Sequence, residues 1–291
     1  MSDSNFLTPS EIAEETVKNG RKKALLPISK MLVLGFLAGA FIAFAAEGSN
    51  MAAFNLFMKA ETYGLGKALA GAIFGTGLML VVIAGGELFT GNVLILASVM
   101  QRQVAIRNML KNWLFVYIGN FVGSVFIAWL MSASGLFDSG AAGLGVVTIK
   151  IASYKVGLSF GKAFVLGLMC NWLVCLAVWM AWGAKDITGK IMAIFFPIWL
   201  FITSGFEHSI ANMYYIPAGI FAKGSELLNS AAIAAGMSPE SLAALNWKSF
   251  FLNNLVPVTL GNIIGGGVFV AGVYWFTYLK KKSVVESVFN K

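Results

Sequence analysis

Gly205-Phe206-Glu207-His208-Ser209-Ile210-Ala211-Asn212 is the stretch that decides the fold. It places a carboxylate and the only histidine of the chain inside a segment, 191–220, that otherwise has the composition of a membrane-buried helix. Polar and ionisable groups are costly at that depth and usually mark function. The alternative is a structural network in which the same polar side chains only tie a helix break together.

The composition is that of a polytopic membrane protein. Of the 291 residues 58% are hydrophobic and 12% charged, and the mean hydropathy is +0.79, which leaves too little polar surface for a soluble globule. Apolar runs near the ~20 residues that cross a bilayer recur at 28–48, 66–100, 112–133, 160–182, 190–222 and 254–279. Long runs of Leu, Ile, Phe and Met favour helices over a barrel. We therefore predict an all-α membrane protein with six transmembrane helices.

The distribution of positive charge predicts the orientation. A net charge of +8 is compatible with nucleic-acid binding, but 14 of the 21 lysines and arginines lie in the N-terminus, the second and fourth loops and the C-terminus. That asymmetry follows the positive-inside rule. It predicts a protein of the cell membrane with both termini cytoplasmic and no nucleic-acid partner. The first 24 residues are polar, so no cleavable signal peptide is expected.

The two ends of the chain flank the predicted channel domain, 26–280. Residues 1–25 are expected to form a cytoplasmic amphipathic segment, and 281–291 a cytoplasmic tail. Thr8-Pro9-Ser10-Glu11 predicts a helix start with a capping box, and the helix is expected to run to about Gly20. Arg21 to Lys23 are interpreted as a lipid-headgroup anchor, and Glu47 as solvated or structural.

Two predicted loops have a different composition from the spans. The loop at 134–160 is rich in glycine and small residues, and the loop at 223–249 is predicted to hold a short helix from Ser238-Pro239-Glu240.

A second stretch repeats the arrangement of the first. Gly85-Gly86-Glu87-Leu88-Phe89-Thr90-Gly91-Asn92 interrupts the second apolar run, and Glu87 precedes Asn92 by five positions, as Glu207 precedes Asn212. Non-helical backbone at membrane depth is tolerated only where protein buries it or where it lines a cavity. Thr90 and Ser209 are the predicted N-caps of the helices that resume after the breaks.

A further repetition relates the third span to the sixth. Asn112, Gly119-Asn120 and Gly123 recur at the same offsets as Asn254, Gly261-Asn262 and Gly265. Spans one to three and four to six are therefore predicted to be two copies, and three spans per copy force opposite orientations. Inverted repeats with a broken helix in each place the site of the permeant between the breaks, near the midplane.

The sequence has no complete motif for nucleotide binding, zinc binding or nucleophilic catalysis. Residues 157–162 resemble a phosphate loop but are one residue short, with Ala163 in place of Ser or Thr. One histidine with Cys170 and Cys175 does not assemble a usual zinc site, and the cysteines are expected to be buried packing residues. His208 and Ser209 are sequence neighbours, so they do not form a catalytic dyad. Neither an enzyme nor a cofactor is expected.

With these motifs in hand, the chain resembles the formate/nitrite transporter family over residues 25–280. The resemblance is carried by Gly-Glu-Leu-Phe-Thr at 86–90, Asn-x-Leu-Val-Cys-Leu-Ala-Val-Trp at 171–179 and Ser-Gly-Phe-Glu-His-Ser-Ile-Ala-Asn-Met at 204–213. It implies an aquaporin-like protomer in a homopentamer, with one pore per subunit and a lipid-filled central hole. It also implies that the substrate is a small anion, in the first place formate, with nitrite or hydrosulfide as the family alternatives.

The resemblance also implies roles for individual residues. The loop Leu88-Phe89-Thr90 would gate one side of the pore, and Lys155 would be the external cation. Glu207 would turn outward and pin the second break. Two apolar constrictions would be made by Phe74, Leu78, Leu88 and Phe201. The polar centre between them would be made by His208, with Asn171 and Thr90 as its neighbours. Gly91, where a serine is common, and the long loop at 223–249 depart from the family pattern.

These residues predict proton-linked passage. Desolvating an anion in a ring of Phe and Leu costs several kcal/mol, and protonation removes most of that cost. The anion would be attracted by Lys155 and by the positive ends of the half-helices, then take up a proton between the constrictions and cross as the acid or be released again as the anion. Whether His208 donates that proton or only hydrogen-bonds the permeant stays open. A neutral-solute channel of the aquaporin type and a scaffold without flux are the alternatives.

Overall fold

In the part of the chain that the structure describes, six apolar helices are long enough to cross a membrane, and they confirm the all-α prediction. The computed structural model describes residues 6–280, so residues 1–5 and the predicted tail at 281–291 lie outside the described residues. The candidate spans are Ile28–Phe57, Ala60–Gly85, Ile106–Ala133, Phe160–Gly183, Ile187–Ser204 and Trp247–Leu279.

The helices follow one another through short connections. In chain order they are α1 (Pro9–Ala24), α2 (Ile28–Phe57), α3 (Tyr63–Met79), α4 (Phe89–Asn92), α5 (Ile95–Met100), α6 (Ile106–Ala133), α7 (Gly143–Val156), α8 (Phe160–Gly183), α9 (Ile187–Ser204), α10 (Ser209–Lys223), α11 (Glu226–Ala234), α12 (Pro239–Ala244), α13 (Trp247–Ser249) and α14 (Val256–Gly266). A π-helical stretch, Leu80–Gly85, extends α3, and further π-helical stretches extend the sixth span: Phe250–Leu255, Gly267–Gly272 and Trp275–Leu279.

Both predicted breaks are present, and each begins at a glycine with left-handed backbone. Gly85 has φ +102° and Gly205 has φ +78°. Side chains rarely adopt these angles, so glycine ends the helix at this point. After Gly85 the chain is non-helical until α4 begins at Phe89, and after Gly205 until α10 begins at Ser209. The second and fifth helices are therefore broken inside the apolar region, as the sequence predicts.

The two repeats are each held together by a close helix pair. Helix α2 packs along α6, and α8 packs along α14. A Cβ atom on Gly35 would lie 2.9 Å from the carbonyl oxygen of Val116, and one on Gly167 would lie 2.7 Å from that of Val258. Only glycine permits backbones to approach so closely.

The N-terminal helix has the predicted start but a later end. The Thr8 hydroxyl accepts a hydrogen bond from the Glu11 amide, and the Thr8 amide donates to Glu11 Oε2 at 2.7 Å, so the capping box is confirmed. The helix ends at Ala24 rather than near Gly20. It continues because its buried side, which includes Val17, packs against α5, where the Ser98 hydroxyl donates to the Val17 carbonyl.

The predicted loop at 134–160 contains a helix, α7, that sequence reasoning did not find. Its glycines allow close packing: a Cβ atom on Gly145 would lie 2.8 Å from the Phe137 carbonyl oxygen. The second loop confirms its short helix, with Ser238 as N-cap of α12. Cys170 and Cys175 are free and buried, as predicted.

Glu47 is not solvated. It is 8% exposed, and one of its oxygens accepts a hydrogen bond from the Tyr214 hydroxyl.

Candidate functional site

A hydrogen bond joins the two half-helices that follow the breaks. Thr90 Oγ1 of α4 lies 2.9 Å from Nε2 of His208, the residue before α10. Both side chains are almost fully buried, at 0% and 3% exposed. The two breaks therefore meet at a polar contact, as predicted, and the atoms in contact are Thr90 Oγ1 and His208 Nε2.

The second nitrogen of the ring fixes the direction of that bond. The Ala211 amide donates to Nδ1 of His208 at 3.0 Å. An amide can only donate, so Nδ1 is unprotonated and a neutral ring carries its proton on Nε2. The Nε2–H then donates to Thr90 Oγ1, which leaves the Thr90 hydroxyl hydrogen available for another acceptor.

The same bond makes His208 the N-cap of α10, and the predicted caps are wrong. Ser209 is the first residue inside α10, and Thr90 lies inside α4, whose N-cap is Leu88. The first amide of each half-helix donates instead to an asparagine of another span. Asn120 Oδ1 accepts from the Phe89 amide and Asn262 Oδ1 from the Ser209 amide, both at 2.9 Å.

Asn171 lies beside the pair but bonds to Thr90 rather than to His208. Its Nδ2 donates to the Thr90 carbonyl oxygen at 3.2 Å and to the Asn262 carbonyl oxygen at 2.8 Å. The Cys175 thiol also contacts the Thr90 carbonyl oxygen, at 3.3 Å. Asn171 Oδ1 is buried and has no hydrogen-bond partner within residues 6–280. An acceptor is therefore free next to the pair.

Apolar side chains surround the central pair. The rings of Phe74 and Phe201 meet edge to face at 5.6 Å, and the Phe201 ring lies 5.9 Å from the His208 ring. Leu78 and Leu88 line a cavity beside the first break, and all four of these apolar side chains are at most 3% exposed.

Phe89 is turned away from this centre. Its ring packs edge to face against Tyr117 at 4.9 Å and Trp113 at 5.9 Å, and it lines neither of the two cavities described below. These ring contacts hold Phe89 against α6.

The first break is held by a buried carboxylate. Glu87 Oε1 accepts from Lys23 Nζ at 2.8 Å, and its Oε2 accepts from Asn92 Nδ2 at 2.7 Å. Asn92 Nδ2 also donates to Asn112 Oδ1 at 2.8 Å, and Asn112 Nδ2 donates to the Lys23 carbonyl oxygen at 2.9 Å. The end of α1 is thereby tied to the break in the second span.

The second break repeats these four bonds and adds a fifth, from Asn254 to the carboxylate. Glu207 Oε1 accepts from Lys155 Nζ at 2.8 Å, and its Oε2 accepts from Asn212 Nδ2 at 2.7 Å and from Asn254 Nδ2 at 3.1 Å. Asn212 Nδ2 also donates to Asn254 Oδ1 at 2.7 Å, and Asn254 Nδ2 donates to the Lys155 carbonyl oxygen at 3.0 Å. Helix α7 is therefore the counterpart of α1, and Lys155 the counterpart of Lys23.

These contacts place three of the residues that the sequence singled out. Lys155 is 8% exposed, and its ammonium group is paired with the Glu207 carboxylate. Asn212, which the sequence also placed among the candidate pore residues, is 0% exposed and bonded to Glu207 and Asn254, so it supports the break. Glu207 is 1% exposed and bonded through both carboxylate oxygens.

Sequence reasoning missed Lys23, which it placed among headgroup anchors. The signal was present in the repeated asparagines: Asn112 and Asn254 are equivalent in the sequence repeat, and each bonds the carbonyl of one of the two lysines.

A cavity opens beside each break. The first, of about 260 Å³, is lined by Lys23, Glu87, Leu78 and Leu88 among others, and we call it the Lys23 cavity. The second, of about 550 Å³, is lined by Lys155, Glu207, Lys67 and Tyr215 among others, and we call it the Lys155 cavity. Residues 6–280 contain no cluster of three His, Cys, Asp or Glu side chains that could hold a metal ion.

The fold and the site define a multi-pass membrane channel built from two inverted repeats, with a buried polar pair at the centre and a cavity beside each break. The sequence pattern of the formate/nitrite transporter family matches residues 10–276, and the chain belongs to that family.

Relatives in sequence cover almost the full chain. A probable formate transporter of Methanothermobacter thermautotrophicus is 40% identical over 96% of this chain and 99% of its own length. The formate channel FocA of Escherichia coli (strain K12) is 36% identical over 95% of this chain and 96% of its own.

Solved structures agree with the sequence relatives. A pentameric formate channel with formate bound superposes with a TM-score of 0.77 at 41% identity, covering 87% of this chain and 98% of that one. An FNT family ion channel gives a TM-score of 0.74 at 29% identity, covering 92% of this chain and 98% of that one.

Proposed function

We propose that the protein conducts formate through the cell membrane, in step with a proton, and that it does so as a homopentamer with one pore per subunit. The relatives and the solved structure named as formate channels support the substrate, and the pentameric assembly of that solved channel supports the pentamer. The positive-inside distribution of Lys and Arg supports cytoplasmic termini. On this orientation the Lys23 cavity is cytoplasmic and the Lys155 cavity is external.

The proposed domain division follows from this orientation. Residues 1–25 form a cytoplasmic segment, 26–280 the channel, and 281–291 a cytoplasmic tail. The bonds of Lys23 and Val17 attach the first segment to the channel rather than leaving it separate.

Passage is governed by desolvation. A formate ion that leaves either cavity must pass buried apolar side chains, Leu78 and Leu88 on one side and Phe74 and Phe201 on the other. An ion loses several kcal/mol of hydration free energy in such surroundings, and a neutral acid loses far less. The permeant is therefore expected to take up a proton in the cavity, cross as formic acid and release the proton on the far side.

The observation that carries the mechanism is the bonding of both ring nitrogens of His208. Because Nδ1 accepts from Ala211, protonation of the ring would break the cap of α10. His208 therefore acts as a neutral group whose Nε2–H orients the Thr90 hydroxyl, and that hydroxyl donates to the carbonyl oxygen of the acid. The free Oδ1 of Asn171 can accept from the acid O–H.

The test is uptake of labelled formate into proteoliposomes. His208→Phe should abolish uptake because it removes the donor to Thr90, whereas Lys59→Gln, an exposed control, should leave it unchanged. Wild-type rates in His208→Phe would refute the central role of the imidazole. Competition by nitrite, hydrosulfide, acetate and lactate in the same assay ranks the anions, and swelling in neutral solutes without formate uptake would replace the proposal with a neutral-solute channel.

A further inference from the structure

The charges of the two cavities are not equivalent, although the repeats are. The charged side chains that line the Lys23 cavity are Lys23 and Glu87, which neutralise each other. Those that line the Lys155 cavity are the Lys155–Glu207 pair together with Lys67 and Lys150. The second cavity therefore carries positive charge that its own carboxylate does not balance.

Lys67 is the deeper of the two additional cations. It lies in the second turn of α3 and is partly buried, whereas Lys150 is exposed. Within residues 6–280 no carboxylate lies within 4.0 Å of its ammonium group, which also makes no hydrogen bond there, and its nearest aromatic ring is Tyr63 at 5.8 Å. A partly buried, unpaired ammonium group is costly, which indicates an anionic partner supplied from outside the chain.

The position of Lys67 places this charge at the second break. A Cβ atom on Gly205, the left-handed residue that begins the break, would lie 3.6 Å from Lys67 Nζ. The following residues, Phe206 and Glu207, line the same cavity. An anion bound to Lys67 would therefore sit immediately before the residues that lead to His208.

Lys67 has no equivalent lysine in the other repeat. The offset that relates Glu87 to Glu207 and Gly85 to Gly205 relates Lys67 to Ile187, an exposed apolar residue. The bonds that hold the breaks are duplicated, but this lysine is not. It is therefore not required by the architecture of the break.

We propose that Lys67 is the anion-docking residue of the Lys155 cavity, and that it binds the carboxylate of a small monovalent acid by a charge-assisted hydrogen bond before the permeant is protonated. The inference rests on the proposed function. It assigns the capture of the anion to Lys67, because the charge of Lys155 is already paired with Glu207, and it makes capture stronger from this side of the membrane than from the other.

Two measurements test the docking site, and the first is independent of transport. Broadening of the ¹³C-formate signal by the purified protein in detergent, at low ionic strength, should weaken at least about threefold in Lys67→Gln and be retained in Lys67→Arg, because loss of one charge-assisted hydrogen bond is worth at least a factor of that order. Lys162→Gln is the matched control, since Lys162 is an exposed lysine that lies outside the cavity. Equal broadening in wild type and Lys67→Gln, or no broadening by the wild type, would overturn the docking site.

The second measurement is the concentration dependence of uptake into proteoliposomes with uniformly oriented protein. Lys67→Gln should raise the formate concentration for half-maximal uptake from the Lys155 side by about 3- to 10-fold with little change in the maximal rate, and should lessen its dependence on salt. A fall in maximal rate with unchanged half-saturation would contradict docking. Absence of wild-type uptake together with intact, Lys67-dependent binding would refute the transport proposal and leave the anion site standing.

Discussion

Loss of the Glu207 carboxylate should be among the most damaging single changes in the protein. Glu207→Gln keeps the shape of the side chain but removes its charge, so Lys155 is left without a counter-ion. The new NH2 group also takes the place of an oxygen that accepted hydrogen bonds, and it faces a donor. The side chains of Lys155 and Glu207 are 11% and 2% exposed. Removing one partner of a buried ion pair costs about 3–5 kcal/mol, mainly because the other charge stays buried. We expect the free energy of unfolding to fall by that amount.

The first repeat provides a matched comparison. Glu87 is likewise bonded to a lysine and an asparagine, but it lacks the bond that Asn254 gives Glu207, and the side chain of its partner Lys23 is 23% exposed and can regain water. Glu87→Gln should therefore cost less, about 1.5–3 kcal/mol, the range for a hydrogen bond to a charged group. The difference between the two losses of unfolding free energy then reports mainly how deeply each lysine–glutamate pair is buried.

Reversible unfolding in mixed micelles, followed by tryptophan fluorescence, measures both values. The double variant Lys155→Met/Glu207→Gln should lose about 0.5–3 kcal/mol less than the two single variants together, because the unpaired ammonium group is gone. A cost below about 1 kcal/mol for Glu207→Gln, or equal costs in the two repeats, would refute the reasoning.

Three further predictions follow from the geometry. Gly167→Ala should destabilise the protein by about 1–3 kcal/mol through overpacking, since its Cβ would lie 2.7 Å from a facing carbonyl, whereas Gly161→Ala in the same helix meets nothing within 4 Å and should be neutral in the same unfolding assay. Thr90→Val should reduce formate uptake at least tenfold without loss of fold, and Thr90→Ser should retain it; equal uptake in both would remove the hydroxyl from the mechanism. Hydrogen bonds from the Thr8 backbone and side chain lower the pKa of Glu11 below its usual 4.5. The cap of α1 should therefore be stable above pH 4.5 and be lost as the pH falls through the lowered pKa. Hydrogen exchange of the first turn should differ between wild type and Glu11→Gln at neutral pH, and that difference should vanish in acid.

The breaks were predictable because they violate the composition around them. Glycine and a carboxylate at membrane depth are costly, so their joint presence at 85–87 and again at 205–207 indicated both the breaks and the repeat. The capping box of α1 was predictable for the opposite reason. All of its bonds join residues three positions apart, so the sequence contains the whole motif.

The caps of the half-helices could not be predicted from local rules. The sequence favoured hydroxyl caps at Thr90 and Ser209, but α4 already begins at Phe89 and α10 is capped by the His208 ring. The first amide of each helix is bonded by an asparagine of the third or sixth span, which no local pattern shows. The Thr90 hydroxyl instead meets His208.

The pairing of the lysines was also hidden by distance. Lys23 lies 64 residues from Glu87, and Lys155 lies 52 residues from Glu207. A lysine at the end of a surface helix is usually a headgroup anchor, and only the folded repeat brings each one to a buried carboxylate. Helix α7 was missed because small residues that predict a loop in isolation also permit close packing.

Proton stoichiometry tests the central claim most directly, since that claim is that the permeant crosses between the apolar side chains at His208 and Thr90 as the neutral acid. Formate uptake and internal pH should be recorded together in proteoliposomes whose membrane potential is clamped, with protein-free liposomes to subtract leakage of formic acid. One proton should accompany each formate, and the rate should not follow the potential. Uptake that leaves the internal pH unchanged and rises with the driving potential would show that the bare anion crosses, and would contradict the account.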